Sequence, residues 1–173
     1  EPGDVSAVLL THGHGDHRGG IGRFPDARVF AHEEELPLLR GETRAEGPIP
    51  WLSGRAEPLE VTDPVQDGER LQLGDLQVEA FHVPGHTPGS VAWLVGETLF
   101  LGDSATAVQS GRLEASPWVF TGYTERNRRA LRALAAELEA RDAEVEHLVF
   151  SHAAPLRGLE PLRDFAGAAG RTP

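Results

Sequence analysis

The segment Thr11-His12-Gly13-His14-Gly15-Asp16-His17 brings three imidazoles and a carboxylate together directly after an apolar run. That run, Val5 to Leu10, has the composition of a buried strand. Residues two apart in extended backbone face the same side, so we expect His12 and His14 to project together. Nitrogen and carboxylate ligands without sulfur suit zinc, iron or manganese, and they disfavour a closed structural zinc site. The segment therefore predicts a metal centre at the end of a strand and not a surface histidine cluster.

Three later segments hold further candidate ligands, in the order Val83-Pro84-Gly85-His86-Thr87-Pro88-Gly89-Ser90, Leu101-Gly102-Asp103-Ser104 and Phe150-Ser151-His152. Together with the His-x-His-x-Asp-His run, this series resembles the metallo-β-lactamase superfamily from His12 to His152. The loop of His86 and the strand end of Asp103 are similar to the hydroxyacylglutathione-hydrolase-like branch. The resemblance implies an α/β (α+β) fold, the αββα sandwich of that superfamily, and the activity of a metal-dependent hydrolase.

The resemblance also implies a binuclear site with two zinc ions, and one iron or a mixed manganese and iron pair is the alternative. The implied ligands are His12, His14 and His86 for the first ion, Asp16, His17 and His152 for the second, and Asp103 as the bridge between them. Three neutral imidazoles would leave the first ion an open position for water, whereas carboxylates make the second position harder. A hydroxide shared by ions about 3.5–4 Å apart would be the nucleophile, since metal binding lowers the pKa of water. Asp16 and Asp103 are the expected catalytic carboxylates.

The expected reaction is hydrolysis of a small ester, thioester or lactone, with a small molecule as the only partner indicated. Twenty-one residues follow His152. The helical domain that binds glutathione in true glyoxalase II is therefore not in this sequence, and we expect a substrate other than a glutathione thioester. One alternative is a sulfur (persulfide) dioxygenase with a single ferrous iron at the four positions His12, His14, His86 and Asp103. The other is a truncated metal-binding domain without independent activity.

Several further side chains have an ordinary structural interpretation beside a functional one. Tyr123, the one tyrosine, is either a proton donor or a packed aromatic residue, and packing is the commoner role. Arg112 and Arg126 would either hold an anionic group or be solvated. The remaining histidines are more often structural, and the one expected to lie next to a ligand is His82, four residues before His86. These remaining histidines are His32, His82 and His147.

Composition bounds the class of protein. The 173 residues are enough for one domain, residues 1–173, with a core of its own. A formal net charge of −11 and the lack of lysine argue against a nucleic-acid partner. The lack of cysteine excludes disulfides and thiolate ligands. No apolar run approaches the length of a membrane span and no signal-peptide pattern is present, so we expect no membrane partner and a cytoplasmic location.

The order of elements indicates a layered α/β arrangement. Apolar alternation predicts hairpins at residues 69–83 and 90–101, and a helix is expected over 124–141 with Thr124 as its N-cap. Residues 59–61 are expected to form an edge strand, 105–123 to be irregular, and 41–56 to form a loop over the site. Members of the resembled family place strands and a helix before the first motif. We therefore expect an N-terminally incomplete sheet and exposed apolar surface beside the strand at residues 5–10.

Overall fold

The computed structural model describes residues 1–44 and 57–168, whose strands form two main sheets. The smaller sheet is parallel and contains β1 (Ala7–Leu9), β2 (Arg28–His32) and β3 (Asp63–Val65), in that order. Within the described ranges β1 has a single neighbouring strand. Its three residues are each partly exposed, whereas the following Leu10 is buried. The residues of β1 nevertheless pack against the apolar clusters, and Leu10 is covered by residues of this chain, so the expected exposed apolar surface beside this strand stays a prediction.

The larger sheet has six strands and a separate hairpin follows its fourth strand in the chain. The strands in chain order are β4 (Arg70–Leu73), β5 (Leu76–His82), β6 (Val91–Val95), β7 (Thr98–Gly102), the hairpin pair β8 (Ala105–Ala107) and β9 (Leu113–Ala115), then β10 (His147–Phe150) and β11 (Leu156–Arg157). The order across the sheet is β11-β10-β7-β6-β5-β4. β10 lies parallel to β7, and the other neighbours are antiparallel.

Four α-helices complete the described structure. They are α1 (Gly15–Arg18), α2 (Leu36–Leu39), α3 (Thr124–Ala140) and α4 (Glu160–Gly167). Only α3 is long, and its buried Leu131, Leu134 and Leu138 recur at helical spacing and face one side. No helix in the ranges 1–44 and 57–168 has both the length and the apolar character needed to cross a membrane.

The side chains sort into three apolar layers, which gives the αββα order expected from the resemblance. Phe30 of β2, Val78 of β5 and Trp93 of β6 meet between the two sheets. Alternate residues on the same strands face outward, because successive side chains of a strand point to opposite faces. The outer face of the small sheet packs on Leu39 of α2. The outer face of the large sheet, with Leu99 of β7, packs on α3 and α4. The fold class expected from the sequence is therefore confirmed.

Several local predictions were wrong. Residues 59–61 have no strand; β3 begins four residues later and contains Pro64, a residue that suits an edge strand. Residues 105–123 contain the β8–β9 hairpin and a turn of 3-10 helix at Trp118–Phe120. Thr124 is the first residue of α3 and not its cap; Tyr123 occupies the cap position without a side-chain cap hydrogen bond. Most of the loop predicted at 41–56 lies outside the described residues.

Candidate metal centre

The seven candidate ligands lie at the carboxyl ends of strands from both sheets. His12 and His14 follow β1, His86 follows β5, Asp103 follows β7 directly, and His152 follows β10. The remaining two, Asp16 and His17, are in α1. The two sheets are joined at this edge, since the carbonyl of Thr11 accepts the backbone N–H of Val91 at 2.9 Å. Side chains from four separate segments therefore line this edge, where the two sheets meet.

His12, His14 and His86 form one cluster, which we call the first triad. His86 Nε2 lies 3.2 Å from His12 Nε2 and 3.1 Å from His14 Nδ1. The rings of the three residues stand nearly edge to face, with centroids 4.6–4.7 Å apart. Their nitrogen atoms therefore converge on one point from three directions.

Asp16, His17 and His152 form a second cluster, the second triad. Asp16 Oδ2 is 3.3 Å from both His17 Nε2 and His152 Nε2. Asp103 lies between the two clusters: its Oδ2 is 3.3 Å from His17 and 3.4 Å from His152 of the second triad, and 3.7 Å from His86 of the first. All seven predicted ligands are thus brought together, and Asp103 occupies the position expected for a bridge. Their binding of metal stays a prediction.

The donor set fits metal ions. Zinc–nitrogen bonds of about 2.0–2.1 Å in a tetrahedron place neighbouring ligand atoms about 3.3–3.4 Å apart, close to the nitrogen separations in the first triad. In the second triad, His17 Nε2 is buried and makes no hydrogen bond of regular geometry, although carboxylate oxygens of Asp16 and Asp103 are 3.3 Å away. Buried polar atoms in proteins normally have a partner, so this nitrogen is suited to coordinate a cation.

Electrostatics keep the first triad in the form that binds metal. Burial lowers the pKa of His12 well below its ordinary value, and the imidazole of His86 adds to that effect. Burial likewise lowers the pKa of His86 to about 3, and it lowers the pKa of His14. A neutral imidazole has a free lone pair for a metal, whereas a protonated one does not. All three imidazoles are therefore available as ligands at neutral pH.

The second triad and Asp103 differ in this respect. Burial acts to lower the pKa of His17, but the carboxylates of Asp103 and Asp16 outweigh burial and raise it. Burial acts to raise the pKa of Asp103, but the imidazole of His17, which faces its carboxylate, lowers that pKa below its usual range. Opposite charges 3.3 Å apart explain both directions. Asp103 is thus ionised over the range in which a metal would bind.

Hydrogen bonds orient the imidazoles of the first triad from behind. His86 Nδ1 lies 3.0 Å from Ser116 Oγ, and His12 Nδ1 lies 3.2 Å from Thr11 Oγ1. Ser116 is fixed in turn by Asn127, whose Oδ1 accepts the backbone N–H of Ser116 and whose Nδ2 donates to the carbonyl of Ser104. Such contacts hold the ring nitrogen that faces the metal in one orientation.

The His86 loop packs too closely on α3 for a side chain at one position. Gly85 has a φ of +132°, and a Cβ there would lie 2.3 Å from the backbone nitrogen of Asn127. Glycine is required on both grounds, because its backbone accepts this φ and leaves the space free. The close contact between Gly85 and the N-terminal end of α3 therefore restricts the position of His86.

A buried carboxylate that was not predicted from the sequence lies beside these loops. Glu35 is 1% exposed and accepts hydrogen bonds from Gly13, Thr87 and Gly89, all of them in the loops that hold His12, His14 and His86. Burial raises the pKa of Glu35, and these hydrogen bonds act in the opposite direction. Glu35 stands in the run Glu33-Glu34-Glu35 at the start of a helical segment, where acids commonly interact favourably with the helix dipole. Glu35 lies three residues after the end of β2, and no local pattern in the sequence marks it as buried.

The residues for which the sequence left both a structural and a functional role open lie outside the two triads. His82 stacks on His32 with ring centroids 3.8 Å apart, and its Nε2 is 2.9 Å from the carbonyl of Pro88 in the His86 loop. His147 lies in β10. Arg126 pairs with Glu34 at 3.2 Å, and Arg112 pairs with Glu114 at 3.0 Å. Tyr123 is half exposed. Its backbone N–H donates to the carbonyl of Gly85.

Known proteins resemble the chain along most of its length. The model of the metallo-beta-lactamase superfamily matches residues 1–152. A hydroxyacylglutathione hydrolase of Aliivibrio fischeri (strain ATCC 700601 / ES114) is 32% identical over 166 residues, which cover 93% of this chain and 55% of that protein. A probable metallo-hydrolase of Bacillus subtilis (strain 168), YybB, is 36% identical over 106 residues, 58% of this chain and 46% of that protein. The chain thus spans about half the length of the curated relatives it matches.

Solved structures agree. The metallo-beta-lactamase family protein TTHA1429 from Thermus thermophilus superposes with a TM-score of 0.66 at 25% identity, over 98% of this chain and 62% of that one. BJP-1, a subclass B3 metallo-beta-lactamase of Bradyrhizobium japonicum, gives a TM-score of 0.66 at 23% identity, over 98% of this chain and 71% of that one, which shows the shared fold. With the matching family model, these relatives show that the chain belongs to the metallo-beta-lactamase superfamily, on the side of its metallo-hydrolases.

Proposed function

We propose that this domain is a binuclear metallo-hydrolase that cleaves a small ester, thioester or lactone. The observation that carries the proposal is the pair of triads joined by Asp103, in which seven donor atoms from four chain segments face one break between the sheets. Domains that bind a single structural metal need four ligands, so a set of seven favours two ions. Two zinc ions suit the nitrogen and oxygen donors, and the absence of sulfur favours an open site over a closed one.

The residues divide the work of hydrolysis by their positions. Bound metal ions would supply an activated water and would polarise the carbonyl of the substrate. His12 and His86 are buried, His14 is partly buried, and the three orient one side of the centre. Asp103 Oδ2 faces both triads and fixes their separation. The side chain of Asp16 is exposed and its Oδ2 lies 3.3 Å from His17 Nε2 and from His152 Nε2, where it is suited to accept a proton from an attacking water.

The chain beside the His86 loop supports an apolar group in the substrate. The exposed aromatic side chains Trp118, Phe120 and Tyr123 follow Ser116, which contacts His86. The backbone of the same segment donates to the carbonyls of Gly85 and His86. Residues 113–123 include no lysine or arginine, so this segment offers no cation to an anionic substrate. The relatives named hydroxyacylglutathione hydrolase support a thioester as one member of the substrate class.

A mononuclear sulfur dioxygenase is the second candidate, because His12, His14, His86 and Asp103 would also hold one ferrous ion. The complete second triad favours the hydrolase, since a mononuclear enzyme has no need for Asp16, His17 and His152 as ligands. A metal-binding domain without activity is the third candidate. Each differs from the others in metal content or in turnover.

The test combines elemental analysis with a substrate panel. Protein purified without added metal is expected to contain about two zinc ions per chain and to hydrolyse aryl esters, thioesters or lactones. The Asp103→Asn variant is the matched control, because it keeps the volume of the side chain and removes its charge. About one iron per chain with persulfide oxidation and no hydrolysis would replace the proposal by the dioxygenase. Bound metal without turnover of any panel member would support the inactive domain.

A further inference from the structure

The buried carboxylate of Glu35 connects the His12–His14 loop with the His86 loop, and His12 and His86 are 74 residues apart in the sequence. Glu35 lies in a turn of 3-10 helix between β2 and α2 and belongs to neither loop. Its Oε1 accepts the backbone N–H of Gly13 at 2.6 Å. Its Oε2 accepts the hydroxyl of Thr87 at 2.9 Å and the backbone N–H of Gly89 at 2.8 Å. One side chain therefore holds the first histidine loop and the His86 loop at once.

Two of the three partners of Glu35 are adjacent in sequence to ligands of the first triad, and the third, Gly89, lies three residues after His86. Gly13 stands between His12 and His14, and Thr87 follows His86. Gly89 packs so closely that a Cβ there would lie 2.2 Å from the backbone nitrogen of Glu35. Within the described residues, the hydrogen bonds of the Glu35 carboxylate go to these two loops and not to Asp16, His17 or His152.

From these contacts we infer that Glu35 is a positioning residue, which sets the distance between the His12–His14 loop and His86 and so determines the affinity of the first metal position. The inference rests on the proposed metal centre. Among the described residues the carboxylate of Glu35 hydrogen bonds to no ligand side chain, and it acts through the residues that neighbour the ligands in the chain. Its effect is therefore expected at the first triad and not at the second.

The arrangement requires a carboxylate, because every group that faces Glu35 is a donor. A carboxylate offers only acceptors and satisfies the two backbone N–H groups and the hydroxyl together. A glutamine of the same shape has one acceptor oxygen, and its NH₂ group would face a donor at the other end. At least one loop would lose its hydrogen bond inside a buried space, where an unmade hydrogen bond is costly. The two loops would then separate, and the nitrogens of the first triad would no longer converge.

The experiment measures each metal position separately. His152→Ala removes one ligand of the second triad, and His86→Ala removes one ligand of the first, so each variant leaves one position to titrate with zinc. Glu35→Gln is introduced into both. In the His152→Ala protein we expect zinc affinity to fall by about 10–100-fold, the range typical of residues that orient metal ligands. In the His86→Ala protein we expect the affinity to stay near its starting value.

Two further variants separate positioning from charge and from folding. Glu35→Asp keeps the charge but is one methylene shorter, so it should also weaken the first position; an affinity equal to that of the His152→Ala protein would mean that charge and not reach matters, and would overturn the inference. Thr87→Val removes one of the three donors, and it provides the test if Glu35→Gln does not fold. It is expected to weaken the first position alone, and no change would contradict the inference.

The matched control is Glu79→Gln. Glu79 is mostly buried on β5 and accepts two hydrogen bonds from Arg141, but it lies away from both loops. A merely structural role for Glu35 would lower the melting temperature of the chelator-treated protein in both glutamine variants and leave zinc affinity unchanged, which would overturn the inference. Equal losses of affinity at the two positions would overturn it as well. Failure of the wild-type protein to bind any zinc would overturn both this inference and the proposed function, whereas normal zinc binding without an effect of Glu35→Gln would overturn the inference alone.

Discussion

The two triads hold their donor atoms in opposite surroundings. His12 and His86 of the first triad are 1–2% exposed, and hydrogen bonds to Thr11 and Ser116 fix their rings. Asp16 and His152 of the second triad have side chains that are 61–62% exposed. The first triad comes from loops that Glu35 connects, whereas the second combines a four-residue helix with the loop after β10.

The difference teaches how one centre can be both rigid and open. Buried ligands with fixed rings lose little freedom when a metal binds, so the first position is preorganised. Exposed ligands can move, and they leave room for water and substrate next to Asp103. We therefore expect the first position to fill at lower metal concentration, and the second to be the side on which the substrate enters.

Loss of the bridge should have the largest effect, because Asp103 is the one group that serves both triads. Asp103→Ala is expected to lower kcat/KM by about a thousandfold or more, since several kcal/mol of charge stabilisation depend on correctly placed ions and each 1.36 kcal/mol corresponds to a factor of ten. Elemental analysis should show that both ions are held more weakly. Retention of two tightly bound ions would mean that Asp103 is not a bridge.

The next largest effect is the loss of metal affinity when one histidine is removed from either triad. His86→Ala empties a buried, preorganised position and should reduce metal affinity by more than the about 10–100-fold typical of orienting residues. His152→Ala removes an exposed ligand that water can replace, so its loss of affinity should be smaller. Isothermal titration with zinc measures both. A larger loss in His152→Ala would reverse the assignment of the rigid and the open side.

The sequence predicted the centre better than its support. The convergence of the candidate ligands could be predicted because histidine and aspartate at fixed spacing after apolar strands are a local pattern. The hairpin from β4 to β5 was equally accessible, since residues 70–82 alternate around Gly74 and Asp75. The role of Glu35 could not be predicted from the sequence, because its hydrogen-bond partners lie 22 and more residues away. Nothing in a run of three glutamates marks one of them as buried.

Short strands were the other weakness. β8 and β9 have three residues each, too few for an alternating pattern to stand out from a loop. β3 was expected four residues early because Leu59 and Val61 are apolar, while Pro64 in the actual strand is a residue that normally argues against a strand. Both are cases in which tertiary contacts, here pairing with β2 for β3, decide what local preference does not.

A smaller effect is the response of the metal-free protein to acid, which should depend on the first triad. The folded-state pKa values of His12, His14 and His86 lie below the ordinary value of about 6.5. For His86 the pKa is lowered to about 3. The unfolded chain then binds more protons than the folded protein in this range, so the free energy of unfolding falls as the pH decreases from about 6.5 toward about 3. The raised pKa of His17 acts in the opposite direction, because its contribution is lost as the pH rises.

Urea unfolding in the presence of a chelator measures this dependence. The urea midpoint should fall on acidification, and His86→Gln should make the fall shallower because one suppressed protonation is removed. His152→Gln is the matched control from the exposed triad, and it should leave the slope closer to that of the wild type. A midpoint that rises as the pH falls below about 6 would contradict the sign derived from the buried triad.

The smallest effect is expected at His82, which belongs to neither triad but supports the loop of the rigid one. Its Nε2 lies 2.9 Å from the carbonyl of Pro88, and its ring stacks on His32. Pro88 is two residues from His86, so the support reaches the ligand through the backbone and in parallel with Glu35. His82→Ala should therefore lower kcat/KM by about tenfold, the lower end of the range for orienting residues. His147→Ala, a histidine on β10, is the matched control and should show no loss. If His82→Ala and Asp103→Ala caused equal losses of kcat/KM, the separation of ligands from supporting residues would be wrong. His82 would then have to be assigned to the centre itself, and the contrast between a rigid and an open triad would no longer hold.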